Sequence, residues 1–103
     1  MKKVVDGKRY DTDTAVEVAS FDNGLSRGDF RWFEESLYVT ENGNFCLAGE
    51  GGPMTSYATP HGDMTGGGSD ITPLSRKEAL EWLEEHDEVD AIDEYFSDLV
   101  QEA

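Results

Sequence analysis

Lysine and arginine run out before the chain does. After Lys77 there is neither, while 11 carboxylates follow: Glu78, Glu81, Glu84, Glu85, Asp87, Glu88, Asp90, Asp93, Glu94, Asp98 and Glu102. The whole chain of 103 residues carries 8 basic against 23 acidic side chains, a net charge of −15. A surface of that sign repels nucleic acid and anionic membranes as direct ligands, so a basic partner is expected. Cysteine is scarce as well. Cys46 stands alone, which excludes an intrachain disulfide and a cysteine metal cluster and leaves a buried apolar thiol in a strand as its expected state. No apolar run approaches the length of a membrane span, and Lys2-Lys3 is not followed by the apolar segment of a signal peptide. A soluble protein of a reducing cytoplasm is expected.

Aromatic residues are present in core-forming number, and hydrophobic content is 37%. That composition predicts one folded domain over residues 1–103, with mainly strands in 1–49, a glycine-rich loop in 50–70 and an acidic helical end in 75–101. Lys2 to Val5, Asp6-Gly7 and Lys8 to Tyr10 predict a hairpin, since Asp-Gly supplies the positive φ angles of a two-residue turn. Four of the basic residues (Lys2, Lys3, Lys8, Arg9) sit on it, so the molecule should have one mildly basic end. Ala15 to Phe21 alternates as a half-buried strand, with Val16 and Val18 on one side. Asp29 is expected to cap a short helical turn that aligns Phe30, Phe33 and Leu37, with Trp32 pointing elsewhere. Asn42-Gly43 between two β-prone runs predicts a second hairpin with a two-residue loop, placing Val39 opposite Cys46 and Tyr38 opposite Leu47.

Motifs of chemistry are few. Asp11 and Asp13 are too ordinary a pair to predict a metal, and Gly49-Glu50-Gly51-Gly52 puts a carboxylate where a phosphate would sit and lacks the lysine that follows in phosphate loops. No nucleophile elbow or His-Glu-x-x-His pattern occurs, so the protein is expected to be no enzyme and to need no cofactor and no metal. A small-enzyme alternative would have to draw on His61, Asp63 and Cys46, with His86 as a further candidate.

The C-terminal stretch has the clearest pattern. Ser75-Arg76-Lys77-Glu78 is a capping box, and Ala79, Leu83 and His86, widened by Leu80 and Trp82, form an inward stripe. A second helix is expected from about Glu88, with Val89, Ile92, Phe96, Leu99 and Val100 inward and Asp90, Glu94 and Asp98 recurring outward every four residues. Like charges at that spacing disfavour a helix by about 0.2–0.5 kcal/mol per pair, so burial elsewhere must offset them. The expected fold class is α+β: a small antiparallel sheet of hairpins packed against two C-terminal helices. Rows of carboxylates on helices form a spaced anionic track comparable to that of duplex DNA. The candidate partner-binding residues are Glu84, Glu85, Asp87, Glu88, Asp90, Glu94 and Asp98.

Lys8-Arg9-Tyr10-Asp11-Thr12, the run from Leu37-Tyr38 to Gly49-Glu50-Gly51-Gly52, and Ile71-Thr72-Pro73-Leu74-Ser75 followed by Glu78-Ala79-Leu80-Glu81-Trp82 resemble a family of small bacterial, phage and mobile-element proteins. In size and acidity the chain is also similar to anti-CRISPR and antirestriction proteins. That resemblance implies a non-enzymatic inhibitor in the cytoplasm of a bacterial host cell. It would bind the basic DNA-binding surface of a CRISPR effector or similar defence complex through an acidic, DNA-mimicking face, with no direct contact to nucleic acid or membrane. The alternative is an acidic protein-interaction module without DNA mimicry, using an exposed apolar patch around Trp32 and Tyr57.

Overall fold

The computed structural model describes residues 1–103, apart from the side chain of His61. Eight strands precede two helices: β1 (Lys2–Val5), β2 (Lys8–Asp11), β3 (Val16–Asp22), β4 (Phe33–Val39), β5 (Phe45–Gly51), β6 (Thr59–His61), β7 (Met64–Gly66), β8 (Gly68–Leu74), α1 (Arg76–Glu85) and α2 (Val89–Tyr95), followed by a 3-10 turn at Ser97–Leu99. The central sheet is antiparallel in the order β3-β4-β5-β8, and β1-β2 and β6-β7 form two small separate sheets. The architecture is α+β, with the helices at the C-terminal end.

Alternation along β5 decides how the sheet is covered, because successive side chains point to opposite faces. Phe45 faces a core built with Leu37, Ala79, Trp82, Leu83, Ala91 and Phe96 beneath the helices. Cys46 and Ala48 face a smaller core with Tyr10 and Ile71, closed by the β1-β2 hairpin. The first hairpin therefore lies across the sheet instead of extending it. Its turn forms as the Asp-Gly pair predicts, with positive φ at both Asp6 (50°) and Gly7 (76°).

Four local expectations are corrected. The second hairpin pairs Val39 with Phe45 and Tyr38 with Cys46, one residue away from the expected register. Thr40 N–H donates to the Asn44 carbonyl at 2.8 Å, and Gly43 has a positive φ of 82° while Asn42 does not. That is the three-residue loop with a glycine in the left-handed region, whereas a two-residue type I′ turn needs positive φ at both central residues. Residues 29–33 form no helix: Asp29 accepts from Arg31 N–H at 2.8 Å in a turn, Phe33 already belongs to β4, Phe30 is exposed and Trp32 is buried. The glycine-rich region is not all loop, for β8 adds the fourth strand to the sheet along β5. Finally, β3 has a bulge between Glu17 and Ala19, so Val18 packs against the helical core while Val16 is exposed.

Candidate interaction surface

The helical layer is built from its cap outward. Ser75 Oγ accepts from Glu78 N–H at 3.1 Å, and Glu78 Oε1 accepts from Ser75 N–H at 2.9 Å, the reciprocal capping box read from the sequence. The hydrogen bond donated by Ser75 N–H is the main cause that holds the Glu78 carboxyl below its ordinary range. Ala79, Trp82 and Leu83 turn inward, which leaves Glu81, Glu84 and Glu85 exposed on the other side of α1. At the end of α1, His86 stacks on Phe21 with ring centroids 4.0 Å apart and meets Trp82 edge-on at 4.5 Å, so this histidine is a packing element. Asp87 takes a positive φ of 54° and separates the two helices.

On α2, Ala91 is buried, Ile92 and Tyr95 are half-buried, and Phe96 at its end is fully buried against Phe45, with centroids 5.1 Å apart. Arg76 reaches from the start of α1 to cover the Phe96 ring at 5.2 Å and donates to both Asp98 oxygens at 3.1 and 3.0 Å and to the Tyr95 carbonyl at 3.1 Å. The guanidinium holds the Asp98 carboxyl below its usual range. Beyond Tyr95 the expected helix does not continue as an α-helix. It tightens into the 3-10 turn, and Leu99 and Val100, expected inward, are exposed, as is Val89. Phe96, seated against Phe45, is the last buried residue of this layer.

The seven candidate acids fall into three settings. Glu84, Glu85, Asp90 and Glu94 are exposed on the two helices, and Asp87 is exposed between them. Glu88 is half-buried at the N-cap of α2, where its side chain makes no capping hydrogen bond. Asp98 is engaged by Arg76. Two acids outside that set, Glu81 and Asp93, share the exposed sides of α1 and α2. A helical period of 3.6 applied to the buried positions would have found them. Among the described residues the ion pairs are Lys3–Asp70, Arg27–Glu50, Arg31–Asp29 and Arg76–Asp98, so of the acids from Glu78 onward only Asp98 has a cation. Lys2, Lys8 and Arg9 stay on the hairpin across the sheet, and among the described residues Lys3 is the one hairpin cation that pairs with an acid.

A second group was legible only in part. Phe33, Glu35, Leu37 and Val39 share one side of β4, which puts the Glu35 carboxylate among apolar neighbours on the helical face. Glu35 Oε1 accepts from Trp82 Nε1–H at 3.1 Å, and Glu35 Oε2 accepts from the Tyr57 hydroxyl. Burial, then the hydrogen bond and charge of Glu35, push the Tyr57 phenol well above its ordinary value. Tyr57 reaches Glu35 across Gly49, where a Cβ would stand 2.0 Å from the phenol oxygen. On the opposite face Glu34 and Glu50 are direct cross-strand partners. A hydrogen bond to Glu50, some loss of hydration and repulsion by Glu50 raise the carboxyl of the exposed Glu34, with Arg27 acting against them.

The remaining candidates disperse. Cys46 is 1% exposed, and burial pushes its thiol up, away from the reactive thiolate. Asp63 sits in the exposed turn between β6 and β7, and the His61 side chain lies outside the described residues. Trp32 is buried beneath the Arg27 guanidinium, 4.7 Å from its ring centroid, and Tyr57 is half-buried, so they form no exposed apolar patch, whereas Phe30 and Met54 are exposed. Among the described residues no group of three or more His, Cys, Asp or Glu could hold a metal ion, and no helix is long and apolar enough to cross a membrane. Comparison with protein-family models, curated proteins and solved structures returns no match.

Proposed function

We propose that this chain is a non-enzymatic inhibitor that binds the basic, nucleic-acid-binding surface of another protein through its acidic helical layer. The observation that carries this is the unneutralised charge of α1 and α2: Glu81, Glu84, Glu85, Asp90, Asp93 and Glu94 are exposed and have no cation among the described residues. Unpaired like charges on short helices work against folding. A cationic groove that normally holds DNA phosphates offers them the counter-charge, and occupying it excludes DNA. Asp98 is left out of the contact set because Arg76 already holds it. The likeness in size and charge to anti-CRISPR proteins makes the DNA-binding groove of a CRISPR effector the partner to test first. The triple substitution Asp90→Lys, Asp93→Lys and Glu94→Lys, all at exposed positions, should keep the circular dichroism spectrum. It should weaken binding to the purified effector tenfold or more, since like-charge juxtaposition costs several kcal/mol. Wild-type affinity in that folded variant contradicts the proposal.

A further inference from the structure

Beside the helices, on the same face of the sheet, lies a recess of about 380 Å³ between β5, β8 and the segment preceding β6; Glu35, Leu47, Tyr57, Ser69, Asp70 and Thr72 contribute to its walls. That volume is at the small end of ligand-binding cavities and leaves room for one side chain. We infer that this recess receives a single guanidinium or ammonium group, with Glu35 as its principal acceptor and the Tyr57 ring and Asp70 as secondary contacts.

The wall chemistry selects the sign of the ligand. Glu35 is half-buried and accepts two hydrogen bonds from neutral donors, yet no lysine or arginine pairs with it among the described residues. A carboxylate removed from water is expensive unless a cation compensates it. Each carboxylate oxygen can accept more than one hydrogen bond, so Glu35 keeps acceptor capacity after Trp82 and Tyr57 are served. Those two donors come from α1 and from the segment before β6, and together they fix the carboxylate before any ligand arrives. Asp70 adds a second carboxylate at the rim, its charge shared with Lys3. Its Oδ1 accepts from Lys3 Nζ at 2.8 Å and from Ile71 N–H at 2.8 Å, and its Oδ2 has no hydrogen bond among the described residues. Tyr57 contributes to the wall, and aromatic rings attract cations. An anion would meet two carboxylates, and an apolar group would strip water from both without replacing it. The inference rests on the basic partner proposed above only for the source of the cation; its chemistry is independent of the helical acids.

The test uses the full chain and a small probe. Titration with N-acetyl-arginine amide, followed in the amide and indole N–H spectrum, should shift Gly49, Tyr57, Thr72 and the Trp82 indole saturably, while N-acetyl-norleucine amide should not. Glu35→Gln keeps an acceptor for Trp82 and should weaken the response about tenfold or more, the usual effect of losing a charged hydrogen-bond partner. The helix variant reversed at Asp90, Asp93 and Glu94 should titrate like the wild type, so failure of the inhibitor proposal and failure of this one give different results. Asp70→Asn, at the exposed rim, should weaken the response severalfold and serves if Glu35→Gln does not fold. A blocked Gly-Gly-Arg-Gly-Gly peptide that binds more tightly than the single residue assigns the cation to a protein segment; equal binding assigns it to a free small molecule. Shifts confined to the acidic helices, an equal response to the norleucine probe, or unchanged titration in either carboxylate variant overturns the inference.

Discussion

The central sheet is covered twice, and its two covers differ in both apolar content and charge. Under the helices, large side chains meet: Leu37, Phe45, Trp82, Leu83 and Phe96 are all buried there. Under the β1-β2 hairpin, Cys46 and Ala48 from the same β5 strand meet Tyr10 and Ile71, a thinner layer. The hairpin carries Lys2, Lys3, Lys8 and Arg9, whereas the helical layer carries exposed carboxylates that, among the described residues, none of those cations pairs with; Lys3 pairs with Asp70 of β8. Burial on the helical face is what allows its outer surface to remain so acidic. Stability and the proposed binding surface are thus opposite sides of the same two helices.

If that division holds, truncating the helical core should be the most damaging change. Phe96→Ala removes a fully buried ring packed on Phe45 and beneath Arg76, and is expected to lose about 3–5 kcal/mol in urea unfolding. Gly49→Ala comes next. Its methyl group would displace Tyr57 and break the hydrogen bond to Glu35, for an expected loss of about 1–3 kcal/mol. On the thinner face, Ile71→Val should lose only about 0.5–1.5 kcal/mol although Ile71 is 1% exposed. A hairpin-face loss as large as that of Phe96→Ala would break the contrast between the covers.

The smallest effect has the opposite sign. Glu34 faces Glu50 directly, and its raised carboxyl binds protons more readily in the folded than in the unfolded chain. Its penalty is therefore fully present above the folded pKa and disappears as pH falls through it. Glu34→Gln should stabilise the protein by about 0.2–1 kcal/mol at pH 7, the range for opposed like charges, and the gain should vanish toward the ordinary carboxylate pKa near 4. Asp70 behaves in the reverse sense. Its hydrogen bond from Lys3 lowers its pKa, so the stability it contributes is present at neutral pH and is lost as pH falls below the ordinary carboxylate value. Paired denaturation curves at pH 7 and pH 4 for Glu34→Gln, and at pH 7 and about pH 2 for Asp70→Asn, check both signs.

Where local chemistry dominates, the sequence was readable. The capping box at Ser75 and Glu78 and the Asp6-Gly7 turn depend on neighbours a few residues apart, and both form as read. The Asn42-Gly43 loop was misread because one residue of loop length changes the pairing of every residue in the hairpin, and only Gly43 needs the left-handed conformation. β8 was hidden by Gly68, the glycines just before it and Pro73, since its pairing partner β5 lies far away in the chain. The false helical turn at Asp29 came from three apolar residues that matched a helical period, although Phe33 and Leu37 fit a strand equally well. For the surface, the surplus of acids was plain, but the phase that adds Glu81 and Asp93 and the ion pair that occupies Asp98 required the fold. Glu35 carried one signal, a carboxylate in an otherwise apolar alternation; Tyr57 and Trp82, its two donors, are distant in the chain.

The most direct measurement is competition for a purified CRISPR effector between this chain and fluorescent duplex DNA, at about 0.05 M and about 0.2 M salt. If the acidic helices occupy the DNA groove, the chain should displace the DNA, its own affinity should fall as salt rises, and the variant reversed at Asp90, Asp93 and Glu94 should fail to displace it. Simultaneous binding of chain and DNA, with affinity indifferent to salt, would contradict DNA mimicry by this face.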